Sequence, residues 1–265
     1  MVDPISVLRD PVVKGAREGI SVCVPAFNEE GNIGRAIASG LQALPEYAEK
    51  FELIVVDDGS GDGTLVEAQS AAEGRAEVKV LTHGRRRGVG AALRTAYGEA
   101  RHPLVFYISA DNQYAYSELG KLLPCLQEAD LAVGYLERRL DHPARLMASR
   151  LYHAVAGLLF GLKLRNINCI KLFRRVILEG MPLRSEGPFL DAELVIRAQN
   201  RGFRVAECPV EHRPRETGKQ TGAGLRAVLL TLWEMTRYAP ELRLERRRIS
   251  PEVARRREER ERLSV

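Results

Sequence analysis

The chain has 265 residues, of which 45% are hydrophobic, so it can bury a core large enough for one large or two small domains. Its formal net charge of +5 favours anionic partners. Basic residues are not interleaved with aromatic ones, and no helix-turn-helix or zinc-finger spacing occurs. Phosphorylated small molecules or an anionic membrane surface are therefore favoured over nucleic acid.

The four cysteines, Cys23, Cys125, Cys169 and Cys208, are scattered and form no CxxC pair. We interpret them as buried, reduced thiols, which are typical of a cytoplasmic protein. Residues 1–18 carry several charges and two prolines, unlike a signal peptide. No apolar run approaches the roughly 18 residues that a membrane span requires. The sequence therefore predicts a cytoplasmic location.

After an N-terminal arm at residues 1–18, β-rich runs alternate with helical patterns. Strands are predicted at residues 20–24, 51–56, 78–81, 104–108 and 131–133, and the first of them is expected to end at Pro25. One helix is predicted to begin at Ile33, and a second, after the loop at 57–64, to end at about residue 73. Two more are predicted over 91–100 and 117–127. This alternation predicts an α/β fold, a Rossmann-like and mostly parallel sheet with helices on both faces.

Each predicted strand is followed by a loop rich in acidic, amide or glycine residues. In chain order the loops offer Asn28 and Glu29, Asp57 and Asp58, Gly88 and Gly90, and Asp111 and Gln113. Ligands bind beyond the carboxyl ends of the strands in open α/β sheets. Carboxylates for a nucleoside, backbone amides for a phosphate and oxygen ligands for a cation together indicate a nucleotide pocket. The alternative is structural: the strand before Asp111 ends in an Asx-type turn, Asp62 and Thr64 are only helix caps, and Gly59, Gly61 and Gly63 are only turn residues.

Two common nucleotide-binding motifs are missing from the sequence. Gly88-Val89-Gly90 lacks the GxGxxG spacing, and no GxxxxGK[ST] occurs. Dinucleotide binding and P-loop hydrolysis are therefore disfavoured. A nucleotidyltransferase is also disfavoured, because no glycine-rich, lysine-bearing loop follows the first strand.

Several segments together resemble the family 2 glycosyltransferases, and above all the dolichyl-phosphate mannose synthases and bacterial polyprenyl-phosphate glycosyltransferases. The two specific segments are VPAFNEE at 24–30 and IVVDDGS at 54–60. Looser similarities are GVGAALR at 88–94, SADNQ at 109–113, and segments within 168–175, 193–203 and 207–219. The match covers roughly residues 20–222, which we take as a catalytic domain at 19–222, followed by an amphipathic helix and charged tail at 223–265.

The resemblance implies a GT-A fold, a nucleoside-diphosphate sugar donor, and Mg²⁺ or Mn²⁺ as cofactor. Donor contacts would fall to Pro25, Phe27, Glu29, Asp57, Asp58, Gly88, Gly90 and Lys219. Metal contacts would fall to Asp111, Gln113 and Ser109, and catalytic roles to Asp111, Asp191, Arg145 and Arg215. Ser109 stands where the family usually has its first metal-binding acid, and a hydroxyl is a weaker ligand than a carboxylate.

Four features of the second half each leave two interpretations open. The basic stretch with Arg138, Arg139, Arg145 and Arg150 is either a phosphate clamp or a solvated face. The apolar stripe of 147–164 is either core or a membrane-interface helix. Asp191 either favours a helix dipole or acts as general base toward a hydroxyl acceptor. Residues 212–222, with Arg215 and Lys219, form either a lid over the diphosphate or a surface connector.

The leading interpretation is an inverting, non-processive transfer of a single sugar to a polyprenyl phosphate at the cytoplasmic face of the membrane. The family's processive members carry Gln-x-x-Arg-Trp, which this sequence lacks. One alternative is transfer to a hydroxyl of a soluble metabolite or glycan. The other is a catalytically weak partner that only binds a nucleotide sugar, with Ser109 as the lesion.

Overall fold

The computed structural model describes residues 19–137, 143–214 and 230–248, with side chains described from residue 149 onward in the second range. The predicted N-terminal arm at 1–18 and the tail after residue 248 lie outside the described residues. The boundaries of the predicted domains stay a prediction.

The strands and helices alternate much as the sequence predicts. The strands are β1 Ile20–Ala26, β2 Phe51–Asp57, β3 Val78–Thr82, β4 Leu104–Tyr107, β5 Leu131–Leu136, β6 Lys171–Arg174 and β7 Val205–Val210. The helices are α1 Ile33–Ala43, α2 Thr64–Ala72, α3 Val89–Glu99, α4 Leu119–Cys125, α5 Pro143–Phe160, α6 Leu190–Asn200 and α7, residues 230–248.

The described strands form one sheet in the order β3-β2-β1-β4-β6-β5-β7. Strand β6 runs antiparallel to both of its neighbours, and the other pairings are parallel. The predicted mostly parallel α/β sheet is therefore confirmed. The sequence prediction missed β6 and β7, and it ended the helix before β5 too late, since α4 closes at Cys125.

Strand β1 corrects one prediction, because it continues through Pro25 to Ala26. Strand β4 pairs with β1 only as far as Cys23, opposite Tyr107, whereas β2 pairs with β1 up to Ala26. Pro25 therefore lies where β1 has a neighbour on one side only. A missing N–H group is tolerated at such an edge position.

Successive strand residues point to opposite faces of the sheet, and their side chains pack into two apolar layers, one on each face. Val22 and Val24 pack toward α1 and α4, whereas Cys23 packs toward α3, α5 and α6. Helix α5 buries Tyr152, Ala156 and Phe160 on the second face but leaves Leu151 and Leu158 exposed. None of the helices in the described ranges is long and apolar enough to cross a membrane.

Helix α7 lies within the segment predicted as an amphipathic helix and charged tail, and it packs on the second layer. It buries Met235, Ala239 and Leu242. Two of its acids, Glu241 and Glu245, accept hydrogen bonds at 2.7 and 2.6 Å from Arg197 of α6, which is 1% exposed. Glu193 pairs with the same guanidinium at 2.9 Å. A buried arginine is stable only when it is surrounded in this way by acceptors.

The prediction of four reduced thiols is wrong for one pair, so the cysteines do not support the predicted cytoplasmic location. A disulfide joins Cys125 at the end of α4 to Cys208 in β7. Cys23 and Cys169 are buried free thiols, as predicted. Burial raises the pKa of both thiols and so keeps them protonated.

Candidate active site

The loops after β1 and β2 are tied together by hydrogen bonds between side chains and backbone amides. The amide of Asn28 donates to Ser60 Oγ at 2.9 Å, and the amide of Gly61 donates to Asn28 Oδ1 at 2.9 Å. The amide of Glu29 donates to Thr64 Oγ1 at 2.7 Å. These reciprocal bonds bring the two most specific sequence segments into one rigid rim at the carboxyl edge of the sheet.

The loop after β4 joins the same rim. Asn112 has a left-handed backbone, with φ of 57°, and its Nδ2 donates to the carbonyl oxygen of Asn32 at 2.9 Å. Asparagine tolerates this conformation better than most residues. The bond places the predicted metal loop beside the predicted nucleoside loop, with the carboxylate of Glu29 held there by Asn32 Nδ2 at 2.8 Å.

The two neighbouring acids at the end of β2, Asp57 and Asp58, are both buried, and each accepts hydrogen bonds from different segments. Asp57 accepts hydrogen bonds from the amide of Ser60 and from Thr82 Oγ1. Asp58 accepts hydrogen bonds from the amides of Arg87 and Gly88 at 3.0 and 2.7 Å. These bonds shape the loop that carries residues 83–88, so both acids build the rim of the predicted donor pocket.

Two residues of that loop were missed by the sequence analysis. His83 places Nδ1 2.9 Å from Asp58 Oδ1 and Nε2 2.9 Å from Thr95 Oγ1. The guanidinium of Arg86 stacks over the ring of the half-buried Phe27 at 4.2 Å. His83 directly follows β3, so the rule about carboxyl ends of strands would have found it.

The glycines at the start of α3 allow the backbone of residues 186–187 to approach closely. The φ of Gly88 is 119°, and a Cβ there would collide with the carbonyl oxygen of Glu186. The amides of Gly90 and Ala91 donate to that same carbonyl oxygen at 2.9 and 3.2 Å. These amides already have partners in the protein, and phosphate binding by Gly88 and Gly90 stays a prediction.

Three oxygen-bearing side chains lie together in the loop after β4. Ser109 Oγ donates to Asp111 Oδ1 at 2.7 Å, and the amide of Gln113 donates to the same oxygen at 3.1 Å. A carboxylate, a hydroxyl and a carboxamide suit Mg²⁺ or Mn²⁺, because such ions are often bound by one carboxylate together with substrate phosphates. Within the described residues no group of three His, Cys, Asp or Glu side chains could hold a metal ion by itself.

The segment after β7 is anchored to this metal loop. The amide of Arg213 donates to the carbonyl oxygen of Gln113 at 2.7 Å, and the ring of His212 lies against Tyr114 with centroids 5.0 Å apart. Arg215 and Lys219 follow within residues 215–229, outside the described residues. The side chain of Arg145 also lies outside them, as do Arg138 and Arg139.

Asp191 lies at the start of α6 and is paired with a buried lysine. Lys171 Nζ is 2.6 Å from Asp191 Oδ1 and 2.8 Å from the carbonyl oxygen of Cys169. The lysine is fully buried. Burial raises the pKa of Asp191, and the ammonium of Lys171 opposes that rise. The Asp191 carboxylate is therefore already bound to the ammonium of Lys171.

Comparison with known proteins identifies the family. Residues 21–181 match the model of Glycosyl transferase family 2. The chain belongs to this family. Within family 2, it is 30% identical over 241 residues to polyprenol monophosphomannose synthase of Mycolicibacterium smegmatis, covering 85% of this chain and 89% of that protein.

Two further relatives are longer than the part that this chain matches. The chain is 31% identical to dodecaprenyl-phosphate galacturonate synthase of Rhizobium johnstonii, covering 82% of this chain and 64% of that one. It is 31% identical to glycosyltransferase AglD of Haloferax volcanii, covering 82% of this chain. The chain spans 37% of AglD, so these relatives contain regions with no counterpart in the match.

Solved structures confirm the GT-A fold of this family 2 chain. Glucosyl-3-phosphoglycerate synthase from Mycobacterium tuberculosis, solved with Mn²⁺, UDP and glucosyl-3-phosphoglycerate, superposes with a TM-score of 0.65 over 92% of this chain and 84% of that one. The same enzyme has also been solved with Mg²⁺ and UDP, with a TM-score of 0.66. Sequence identity is 20% in both cases, so the likeness concerns the fold.

The role of Asp58 can be tested by Asp58→Asn. The new amide group would face two N–H donors, and we expect the free energy of unfolding to fall by at least about 2 kcal/mol, since charge-assisted hydrogen bonds contribute that much when buried. Urea denaturation measures this loss. Asp62→Asn, in an exposed part of the neighbouring loop, is the matched control and should cost about 1 kcal/mol or less. Equal losses of unfolding free energy in Asp58→Asn and Asp62→Asn would contradict the role of Asp58 in fixing the loop of residues 83–88.

Proposed function

We propose that the chain is an inverting, non-processive glycosyltransferase that moves one sugar from a nucleoside-diphosphate sugar to a polyprenyl phosphate. The observation that carries the choice of acceptor is the buried pair of Lys171 with Asp191 at 2.6 Å. The acid that would serve as general base toward a hydroxyl is bound to an ammonium. A phosphate acceptor needs no such base, because its second pKa is about 6 and it is largely anionic at neutral pH. The names of the polyprenyl-phosphate relatives support the same choice.

The donor would lie on the rim formed by the first three loops. The family resemblance assigns four residues to the nucleoside: Pro25, Phe27, Glu29 and Asp58. Hydrogen bonds of the rim hold the backbone amide of Glu29 and the side-chain carboxylate of Asp58 in place. The guanidinium of Arg86 lies over Phe27, and its planar N–H groups suit a nucleotide base or phosphate. Because the rim is already ordered, nucleotide binding would have a smaller conformational-entropy cost.

Asp111 and Gln113 would hold Mg²⁺ or Mn²⁺ against the donor diphosphate. The ion, when bound, would neutralise charge on the leaving nucleoside diphosphate. Ser109 directs its hydroxyl hydrogen at Asp111 Oδ1, so it orients the carboxylate in the structure. This use of Ser109 is compatible with a metal site that has a single acid.

Transfer would be a single displacement at the anomeric carbon. An oxygen of the acceptor phosphate forms the new bond to that carbon while the bond to the donor's terminal phosphate oxygen breaks, and the nucleoside diphosphate leaves. The protein's part is alignment of the two substrates and stabilisation of the leaving charge. Arg145, Arg215 and Lys219 are proposed for the second task, and Arg213, anchored at Gln113, begins the basic segment that would deliver two of them.

The test is transfer to a short-chain polyprenyl phosphate in detergent, with a panel of UDP- and GDP-sugars and with Mg²⁺, Mn²⁺ or a chelator. We expect a single lipid-phosphate sugar by mass, lost with the chelator and in Asp111→Asn. Transfer only to a soluble hydroxyl acceptor would favour the first alternative. Nucleotide-sugar binding without turnover, unrepaired by excess Mn²⁺ but restored by Ser109→Asp, would identify a catalytically weak partner.

Asp191→Asn separates the two acceptor classes. Without a base role we expect kcat to fall by less than about 10-fold, whereas loss of a general base costs about 100- to 10,000-fold. Because the substitution leaves Lys171 buried without its counter-charge, the double variant Lys171→Met with Asp191→Leu is measured beside it; replacing both partners of a buried pair is commonly neutral. A loss above about 100-fold in both folded variants would favour a hydroxyl acceptor.

We further propose peripheral binding at the cytoplasmic face of the membrane through α7. Its acids turn inward, since Glu234 is buried and Glu241 and Glu245 bind Arg197. Apart from Thr236, the exposed residues of α7 are apolar or basic: Leu230, Trp233, Arg237, Pro240, Arg243, Leu244, Arg246, Arg247 and Arg248. Such a surface suits the anionic lipids of the cytoplasmic leaflet, where each basic residue near the surface contributes about 1 kcal/mol.

Arg247→Gln with Arg248→Gln tests this surface. We expect co-sedimentation of the protein with phosphatidylglycerol vesicles to weaken by about 5-fold for each arginine removed, because each loses about 1 kcal/mol. Arg75→Gln, an exposed arginine after α2, is the control and should bind like the unaltered protein. Equal binding to phosphatidylcholine vesicles, or no effect of the double substitution, would contradict an electrostatic contact.

A further inference from the structure

Glu234 of α7 is a buried carboxylate that the proposed mechanism does not use. It is 3% exposed, and its Oε1 accepts hydrogen bonds from Ser185 Oγ at 3.0 Å and from the amides of Glu186 and Gly187 at 3.2 and 3.1 Å. Its other oxygen, Oε2, is buried and has no hydrogen-bond partner among the residues that the structure describes. Such an arrangement is costly unless the carboxylate holds something in place.

The segment held by Glu234 is residues 184–187, which we name the clamp loop. Glu193 of α6 accepts hydrogen bonds from its other two amides, those of Arg184 and Ser185, at 3.0 and 2.8 Å. Four successive backbone amides therefore donate to two carboxylates from different helices. Glu193 also pairs with the charged Arg197, whereas the donors to Glu234 within the described residues are uncharged.

The clamp loop packs against the start of α3. The carbonyl oxygen of Glu186 accepts hydrogen bonds from the amides of Gly90 and Ala91, and it occupies the space where Gly88 would carry a Cβ. Gly88 in turn donates its amide to Asp58 at 2.7 Å. A continuous set of hydrogen bonds thus runs from Glu234 through the clamp loop and α3 to an acid of the proposed donor rim.

We propose that Glu234 is a positioning residue for the nucleotide donor, which it serves by holding the clamp loop against α3. This inference rests on the proposed function of the rim as the donor site. Without the carboxylate, two backbone amides lose their acceptor, the clamp loop loosens, and the loop of residues 83–88 no longer keeps one position against Phe27. The consequence falls on donor binding.

The experiment compares Glu234→Ala, Glu234→Gln and the control Glu245→Gln in the full chain. Glu245 also lies on the inner side of α7, but it contacts Arg197 and Arg201 and, in the described part of the chain, makes no hydrogen bond to the clamp loop itself. In Glu245→Gln, Arg197 keeps its hydrogen bonds to Glu193 and Glu241. Titration calorimetry with UDP and with GDP, each with Mg²⁺, gives the dissociation constants at a temperature well below each variant's unfolding midpoint. We expect Glu234→Ala to weaken nucleotide binding by roughly 2- to 30-fold, the range seen for remote coupling residues. Glu234→Gln keeps an acceptor oxygen and should lose less, and Glu245→Gln should bind like the unaltered protein.

Hydrogen exchange supplies a readout that does not depend on nucleotide. The amide hydrogens of Gly90 and Ala91 should exchange faster in Glu234→Ala than in the unaltered protein. In Glu245→Gln their exchange rates should equal those of the unaltered protein. Should Glu234→Ala fail to fold, Ser185→Ala removes one of the three donors to the same oxygen and should weaken nucleotide binding in the same direction.

Three results would overturn the inference, and they are distinguishable. Unchanged dissociation constants in Glu234→Ala, or an equal loss in Glu245→Gln, refute the positioning role while leaving the donor site intact. If the unaltered protein binds neither nucleotide, the proposed function itself fails together with this inference.

Discussion

Buried carboxylates that accept hydrogen bonds from backbone amides hold the carboxyl edge of this sheet together. Asp58 binds the amides of Arg87 and Gly88, and Glu193 and Glu234 bind those of residues 184–187. The loops themselves have little apolar content, so they cannot be fixed by packing alone. Charge-assisted hydrogen bonds give them defined positions, and the loops after β1, β2 and β4 therefore stay together at one edge of the sheet.

The same device explains why α7 belongs to the folded unit. One side of this helix supplies acids to the clamp loop and to Arg197, and the other side presents arginines and apolar residues to solvent. Trp233 and Glu234 are neighbours in sequence, yet the first is 53% exposed and the second 3%. The helix therefore physically connects the proposed lipid-facing surface with the proposed donor rim.

Much of the fold could be predicted from the sequence, because β1 to β5 are apolar runs separated by helical patterns and polar loops. Strand β6 escaped because it has four residues and begins with Lys171, whose complete burial depends on Asp191 twenty positions later. The disulfide escaped because 83 residues separate its cysteines and no spacing rule pairs them. The site was predicted as a set of loops, but the sequence pattern carries no sign of hydrogen-bond partners such as Glu186 for Gly90, which only the tertiary fold brings together.

The position of β6 has a consequence for how the chain is made. Strand β4 pairs with β6, yet β5 and α5 are synthesised between them, so the sheet cannot be completed in the order of translation. Residues 20–107 can pair as β3-β2-β1-β4, but one edge of β4 then stays open until residues 171–174 arrive and join the two halves. An open apolar strand edge is a template for wrong pairing on a nascent chain. The second half of the sequence thus acts as the closing piece of the first, and truncated chains that end before β6 would expose an aggregation-prone edge.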